Sequence, residues 1–178
     1  IINSPANPTG GATPKAELDK LAEGLQAHPD VVVLSDEIYS HMLYEGREHV
    51  SFLQYEAMRD RTIMLDGWSK TYAMTGWRLG FAVWPKSIAE TATRLAINCH
   101  SCVNAPTQFA GIAALEGHHD QVKTMVEAFD ERRKVIVPAL NQIPGFTCVD
   151  PGGAFYAFPN ISGTGLSARE LQDKLLTD

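Results

Sequence analysis

Two charged residues that could take part in catalysis follow a strand-like run of the sequence. Lys70 comes shortly after the apolar stretch Thr62 to Asp66, and Arg78 lies eight residues further on. A lysine at a strand end is a candidate nucleophile if burial or a nearby cation keeps its amine neutral. Arg78 can provide that cation and can also bind a phosphate through two parallel hydrogen bonds. Isolated lysines and arginines are usually surface charges, so the pair needs supporting motifs.

A carboxylate follows another strand-like run, Val31 to Ser35, and opens the segment Asp36-Glu37-Ile38-Tyr39. Residues i and i+2 of an extended chain share a face, so Asp36 and Ile38 are expected to point the same way. A carboxylate beside an apolar side chain suits a protonated heteroaromatic ring, because a buried carboxylate needs a cation. A plainer interpretation stays open, in which Asp36 caps a turn and Tyr39 fills core space.

The third motif is the turn Asn7-Pro8-Thr9-Gly10. It lies in the segment 4–11, whose two prolines and two glycines exclude regular structure. A rigid turn of this kind can aim the Asn7 amide at a ring oxygen or at a substrate carboxylate. By itself it indicates only a turn.

The elements that position these motifs alternate between strand and helix. Apolar runs predict buried strands of a mostly parallel sheet at Val31 to Ser35, Thr62 to Asp66 and Leu79 to Trp84. Helical periodicity lies between and after them, with a first helix capped by Thr13 and opened by Pro14.

Beyond residue 140 the pattern changes to two predicted short strands, Phe146 to Val149 and Ala154 to Phe158. A capping box formed by Ser167 and Glu170 opens a last helix. The predicted fold is therefore α/β, a mostly parallel sheet with flanking helices, followed by the start of a smaller α+β unit.

The composition of the chain limits the classes of molecule that it is expected to bind. The 178 residues carry a net charge of -6, and the longest run of Lys and Arg is the short stretch Arg132-Arg133-Lys134. This charge favours small-molecule partners and disfavours nucleic acid and anionic membranes. Without an apolar run of about 20 residues or a signal-peptide pattern, a cytoplasmic location is expected. Cys99 and Cys102 lack a second ligand pair, so neither a metal site nor a redox site is predicted.

Taken together, the three motifs resemble the class I and II aminotransferases of the aspartate aminotransferase superfamily, which are fold type I pyridoxal phosphate (PLP) enzymes. The matching segments are Asn-Pro-Thr-Gly at 7–10, Ser-Asp-Glu-Ile-Tyr at 35–39 and Ser-Lys-Thr-Tyr-Ala-Met-Thr-Gly-Trp-Arg-Leu-Gly at 69–80. Gly-Gly-Ala-Phe-Tyr at 152–156 resembles the first hairpin of the family's small domain. The resemblance runs over essentially the whole chain.

The resemblance implies a role for each matching residue. Lys70 is the expected Schiff-base lysine and general base, and Asp36 the expected partner of the pyridinium nitrogen. Tyr39 and Asn7 are expected at the ring's phenolate oxygen, and Asn7 also at the substrate carboxylate. Ser69 and Arg78 are expected to bind the cofactor phosphate.

It also implies that the chain is a fragment. Residues 1–120 correspond to the second half of the PLP-binding large domain, and residues 121–178 to the interdomain helix and the beginning of the small domain. The expected function is transfer of an amino group between an amino acid and a 2-oxo acid, of aspartate, aromatic or broad type, in a full-length homodimer.

Two alternatives stay open at this stage. The chain also fits another fold type I enzyme, a carbon-sulfur lyase or an aminocyclopropane carboxylate synthase. Lyases that resemble this family often carry His at the position of Tyr39, so Tyr39 favours transamination. The second alternative is an inactive truncated fragment that folds without turnover.

Overall fold

A computed structural model of the chain describes residues 1–177. At its centre is a four-stranded sheet. In spatial order its strands are β1 (Ile2–Asn3), β2 (Val33–Asp36), β3 (Thr62–Gly67) and β4 (Gly80–Val83). The first three run parallel, and β4 is antiparallel to β3. The predicted α/β class with a mostly parallel sheet is confirmed.

Helices follow and separate the strands. They are α1 (Lys15–Leu25), α2 (Trp68–Thr71), α3 (Lys86–His100), α4 (Ala105–Glu116), α5 (Asp120–Asn141) and α6 (Ala168–Thr177). Short 3-10 turns cover Phe52–Gln54, Glu56–Arg61, Thr75–Trp77 and Ser162–Thr164. The capping box is confirmed, since Ser167 N–H donates to Glu170 Oε2 at 2.8 Å and Glu170 N–H to Ser167 Oγ at 3.2 Å. The predicted Thr13 cap is wrong, because Pro14 itself occupies the capping position of α1.

The predicted strands at 146–149 and 154–158 are also wrong. Only isolated bridges form in this region, Leu43 with Gly153 and Thr147 with Asn160. The backbone of Ala154 is left-handed, with a φ of 57°, and an extended strand cannot continue through that conformation.

Buried apolar side chains form two clusters. In the first, α1 packs on β2 and on the 3-10 turns, and its buried members are Leu18, Ala22, Val33, Phe52 and Met58. The second joins the loop after β2 to the segment after α5, through Tyr39, Met42 and Ala154. This second cluster is the one that lies beside the chemical motifs.

The helices α3 and α4 leave much of their apolar surface uncovered. The large exposed side chains include Leu95 at 62%, Phe109 at 73% and Leu115 at 55%. Apolar patches on this scale usually mark an interaction surface. Within residues 1–177, no helix combines the length and the apolar character that crossing a membrane requires.

The strands β3 and β4 approach most closely at a pair of glycines. Gly67 is paired with Gly80 in the antiparallel ladder. A Cβ at Gly67 would lie 2.9 Å from both Gly80 Cα and the Leu79 carbonyl oxygen, which are backbone atoms that cannot move independently. This approach holds α2, which carries Lys70, close to the start of β4.

We expect Gly67→Ala to lower the free energy of unfolding by about 1–3 kcal/mol, because the added methyl overpacks the backbone. The control is Gly24→Ala in α1, where nothing lies within 4 Å of the added Cβ. That change should raise the free energy of unfolding by roughly 0.5 kcal/mol through helix propensity. Urea denaturation of both variants makes the measurement, and equal effects would contradict the close approach.

Candidate active site at the carboxyl edge of the sheet

The Asn7 turn lies next to Tyr39. It is closed by backbone hydrogen bonds from Gly10 N–H to Ala6 O and from Ala6 N–H to Gly11 O, both 2.8 Å. The Asn7 side chain lies close enough to the Tyr39 hydroxyl to influence its pKa. Burial, reinforced by Tyr156, raises the pKa of Tyr39 well above its usual value, and the Asn7 contact opposes the rise. Tyr39 therefore stays protonated at neutral pH and can donate a hydrogen bond.

Asp36 ends β2 and is half-buried. Its Oδ1 accepts a hydrogen bond from Ile38 N–H at 3.3 Å, and its carbonyl oxygen accepts one from Asn3 Nδ2 at 3.2 Å. Among residues 1–177, none of the ion pairs involves Asp36. The turn cap and the buried tyrosine of the plainer interpretation are both present, and they leave the carboxylate without a cation.

Lys70 lies in α2, half-buried and against an aromatic ring. Its Nζ is 5.6 Å from the centroid of Phe155. The same ring meets Tyr39 edge-on at 5.4 Å and stacks on Phe129 of α5 at 5.3 Å. Phe155 therefore bridges the lysine, the tyrosine and the long helix. A cavity of about 200 Å³ opens beside the lysine, lined by Met42, Ser69, Lys70, Ala73, Thr75, Met125, Phe129 and Phe155.

Ser69 and Arg78 are linked through Thr75. The Thr75 hydroxyl donates to Ser69 O at 3.0 Å, and Arg78 Nη1 donates to Thr75 O at 2.9 Å. Arg78 is exposed, has a left-handed backbone with a φ of 57°, and takes part in no ion pair among the described residues. Its guanidinium therefore has donors left for an anion.

Beneath this edge, Glu37 anchors the segment that carries Asp36 and Tyr39. Its buried carboxylate accepts hydrogen bonds from Ser35 Oγ at 2.9 Å, Ser51 Oγ at 3.0 Å and Phe52 N–H at 3.1 Å. It also contacts His49 Nε2 at 2.8 Å. Burial alone would raise the pKa of Glu37, but these partners outweigh it and lower the pKa below the ordinary value of 4.5.

The structure brings Asn7, Asp36, Tyr39 and Lys70 to one edge of the sheet, with Ser69 beside Lys70 in α2 and Arg78 at the end of the adjoining turn. Sequence reasoning missed Thr75, Phe155 and the Glu37 network. The Gly-Gly-Ala-Phe-Tyr motif at 152–156 was the available signal for Phe155. Among residues 1–177, no group of three or more His, Cys, Asp or Glu side chains is arranged to hold a metal ion.

Comparison with known proteins identifies the family of this chain. The sequence matches the family described as aminotransferase class I and II over residues 1–178. The chain belongs to the class I and II aminotransferases. Among its relatives, the putative aminotransferase YugH of Bacillus subtilis is 41% identical over 177 residues. The aspartate aminotransferase of Geobacillus stearothermophilus is 45% identical over 161 residues.

These aminotransferases are longer than the present chain. The two alignments cover 99% and 90% of this chain but 45% and 41% of the relatives. The solved aromatic aminotransferase of Pyrococcus horikoshii OT3 superposes with a TM-score of 0.94 at 39% identity, over 99% of this chain and 48% of that one. The chain thus spans about half the length of these aminotransferases, and the expected fold type I architecture is confirmed.

The pH dependence of stability tests the Glu37 anchor. A carboxyl whose folded-state pKa is depressed stabilises the fold above its unfolded pKa, and this contribution is lost as pH falls through the folded pKa. We expect Glu37→Gln to lower the free energy of unfolding at pH 7 by about 1–3 kcal/mol. The variant should also lose part of the decline that the unsubstituted chain shows below the ordinary pKa of 4.5.

Denaturation at several pH values makes this measurement, with the exposed Glu23→Gln as the matched control. Burial raises the pKa of Asp66, so its contribution to the pH dependence has the opposite sign. The difference between variant and parent isolates Glu37. An unchanged acid limb in Glu37→Gln would contradict the anchoring role.

Proposed function

We propose that the whole protein is a PLP-dependent aminotransferase that moves an amino group between an amino acid and a 2-oxo acid, of aspartate, aromatic or broad type. One observation carries the proposal. A carboxylate without a cation, a protonated tyrosine, an amide and a half-buried lysine share one edge of the sheet. The names of the relatives, among them aspartate and aromatic aminotransferases, support the same reaction.

The donor set fits PLP group by group. The Asp36 carboxylate would hold the proton of the ring nitrogen, and the apolar side chain of Ile38 would pack on the ring. Tyr39 and Asn7 would donate hydrogen bonds to the phenolate oxygen, and Asn7 would also orient the substrate carboxylate. When bound, PLP supplies an electron sink for the negative charge that develops at the substrate Cα.

In this proposal, Ser69 and Arg78 bind the phosphate of the cofactor. The Ser69 hydroxyl and the fork of the Arg78 guanidinium both offer donors to a phosphate. Thr75 ties the backbone of one to the side chain of the other. This contact supports their joint assignment to one anion.

Lys70 has two tasks in this proposal. Its Nζ would hold the cofactor covalently through the aldehyde carbon, with release of water, and after its replacement by the substrate amine would hold the proton that leaves the substrate Cα. The ring of Phe155, whose centroid lies 5.6 Å from Nζ, would stabilise the charged form of the amine when it holds that proton.

The remaining proposals concern organisation. We assign residues 1–120 to the second half of the large domain and residues 121–178 to the interdomain helix and the start of the small domain, in a cytoplasmic homodimer. The exposed apolar side chains of α3 and α4 support this, because a second subunit and further protein would cover them. The partners are small molecules, without nucleic acid or membrane.

Covalent trapping tests the cofactor assignment. The purified chain is mixed with PLP, reduced with borohydride and digested for mass spectrometry. We expect a cofactor adduct on the Lys70 peptide and its loss in Lys70→Ala. The exposed Lys86→Ala is the control and should keep the adduct. An adduct spread evenly over the surface lysines would count against the site.

The same proposal predicts that a substitution at Asp36 affects turnover more than cofactor binding. In the whole protein, Asp36→Asn should lower turnover by roughly a thousandfold, because an ion pair at 4 Å contributes about 4 kcal/mol at a dielectric of 20. Cofactor occupancy should fall much less, since Lys70, Ser69 and Arg78 still bind. Turnover and absorbance-measured occupancy are compared with those of the exposed Asp30→Asn. Equal losses of turnover and occupancy would contradict this prediction and would mean that Asp36 only helps to bind the cofactor.

A further inference from the structure

Tyr156 makes a contact that the proposed chemistry has not used. Its hydroxyl oxygen lies 2.5 Å from the hydroxyl oxygen of Tyr39, 117 residues away in sequence. The two rings meet edge-on, with centroids 5.7 Å apart. Tyr39 is 2% exposed and Tyr156 is half-buried, so little water competes for this hydrogen bond.

The backbone holds Tyr156 in this place. Gly152 and Gly153 N–H donate to Gly10 O at 2.8 and 3.0 Å, and Ala154 N–H donates to Met42 O at 2.8 Å. One of these acceptors belongs to the turn of Asn7 and the other to the loop of Tyr39. Tyr156 is therefore fixed to the two loops that carry the proposed phenolate ligands.

The proton count of the two hydroxyls decides what the contact does. A tyrosine hydroxyl has one proton and two lone pairs, so only one of the two hydroxyls donates in this contact. If Tyr39 donates to Tyr156, it has no proton left for a ligand. If Tyr156 donates, it fills one lone pair of the Tyr39 oxygen, and the Tyr39 proton remains available for a ligand. That proton is then directed away from Tyr156.

We infer that Tyr156 is a positioning residue, which donates to the Tyr39 oxygen and thereby directs the Tyr39 proton to the phenolate oxygen of the bound cofactor. The inference rests on the proposed function. Donation from Tyr156 also polarises the Tyr39 hydroxyl and makes it a stronger donor. Tyr156 itself touches neither cofactor nor substrate in this role.

The expected consequence is spectroscopic. A weaker donor at the phenolate oxygen stabilises its negative charge less, so the nitrogen that joins Lys70 to the cofactor keeps its proton to higher pH. Tyr156→Phe should therefore raise the pKa of this nitrogen by about half a unit to one unit, the size of one net hydrogen bond. The substitution removes one oxygen atom and keeps the ring packing.

The experiment is a pH titration of the visible cofactor absorbance in the whole protein loaded with PLP. It compares the parent protein with Tyr156→Phe, Tyr39→Phe and the double variant. Tyr39→Phe should raise the pKa more than Tyr156→Phe, and the double variant should titrate like Tyr39→Phe alone. The control is Tyr55→Phe, which loses a hydroxyl hydrogen bond to Asp19 far from the site and should leave the pKa unchanged.

A second readout needs no cofactor. Urea unfolding of the same four proteins without PLP should show a double-mutant coupling between Tyr39 and Tyr156, because each hydroxyl is the other's partner. An unshifted pKa in Tyr156→Phe would overturn the inference, and so would additive shifts in the double variant or an absent coupling in unfolding. If the parent protein shows no cofactor band, the proposed function fails and the inference fails with it. A normal band without coupling overturns the inference alone.

Discussion

The carbonyl oxygen of Gly10 accepts two backbone hydrogen bonds, from Gly152 and Gly153, and the arrangement of the site depends on this junction. It joins the turn after β1 to the segment after α5. Gly10 has a φ of +68°, and a Cβ there would lie 2.4 Å from Pro151 Cβ, so only glycine fits. The junction brings an aromatic segment from the far end of the chain against side chains that the parallel strands already place together.

Among residues 1–177, charged side chains are paired in the interior of the chain, but Asp36 at the carboxyl edge of the sheet is not. Arg133 of α5 is 6% exposed and pairs with Asp130, Glu45 and Asp150 at 2.8 to 3.3 Å. Burial would lower the pKa of Arg133, but Asp130 and Glu45 outweigh it and raise that pKa. The fold thus pairs this buried charge with carboxylates of its own. Asp36 is left without a cation at the end of β2, and such a charge is costly unless a ligand supplies its partner.

Local pattern was enough to predict the parts of the site that depend on strand geometry. Asp36 ends β2, and Lys70 follows β3, whose apolar run is continuous. Ile38 lies in a turn beyond the end of β2, so the expected strand alternation does not extend to it. Tyr156 could not be predicted this way, because its position depends on pairing across 117 residues and on the left-handed backbone of Ala154. The same conformation explains why the apolar alternation at 154–158 wrongly predicted a strand.

The groups that could hold a cofactor and the uncovered apolar surface lie on different elements. The polar groups belong to the turn after β1, to β2 and the loop after it, to α2 and to the turn that ends at Arg78. The exposed side chains Leu95, Phe109 and Leu115 belong to α3 and α4. Hydrogen bonds within the chain hold the former, but burial of the latter requires protein surface outside the chain described here. Cofactor binding and global stability therefore depend on different contacts. Substitutions at the site can change one with little effect on the other, except at Tyr39, which is a core residue as well as a proposed ligand of the cofactor.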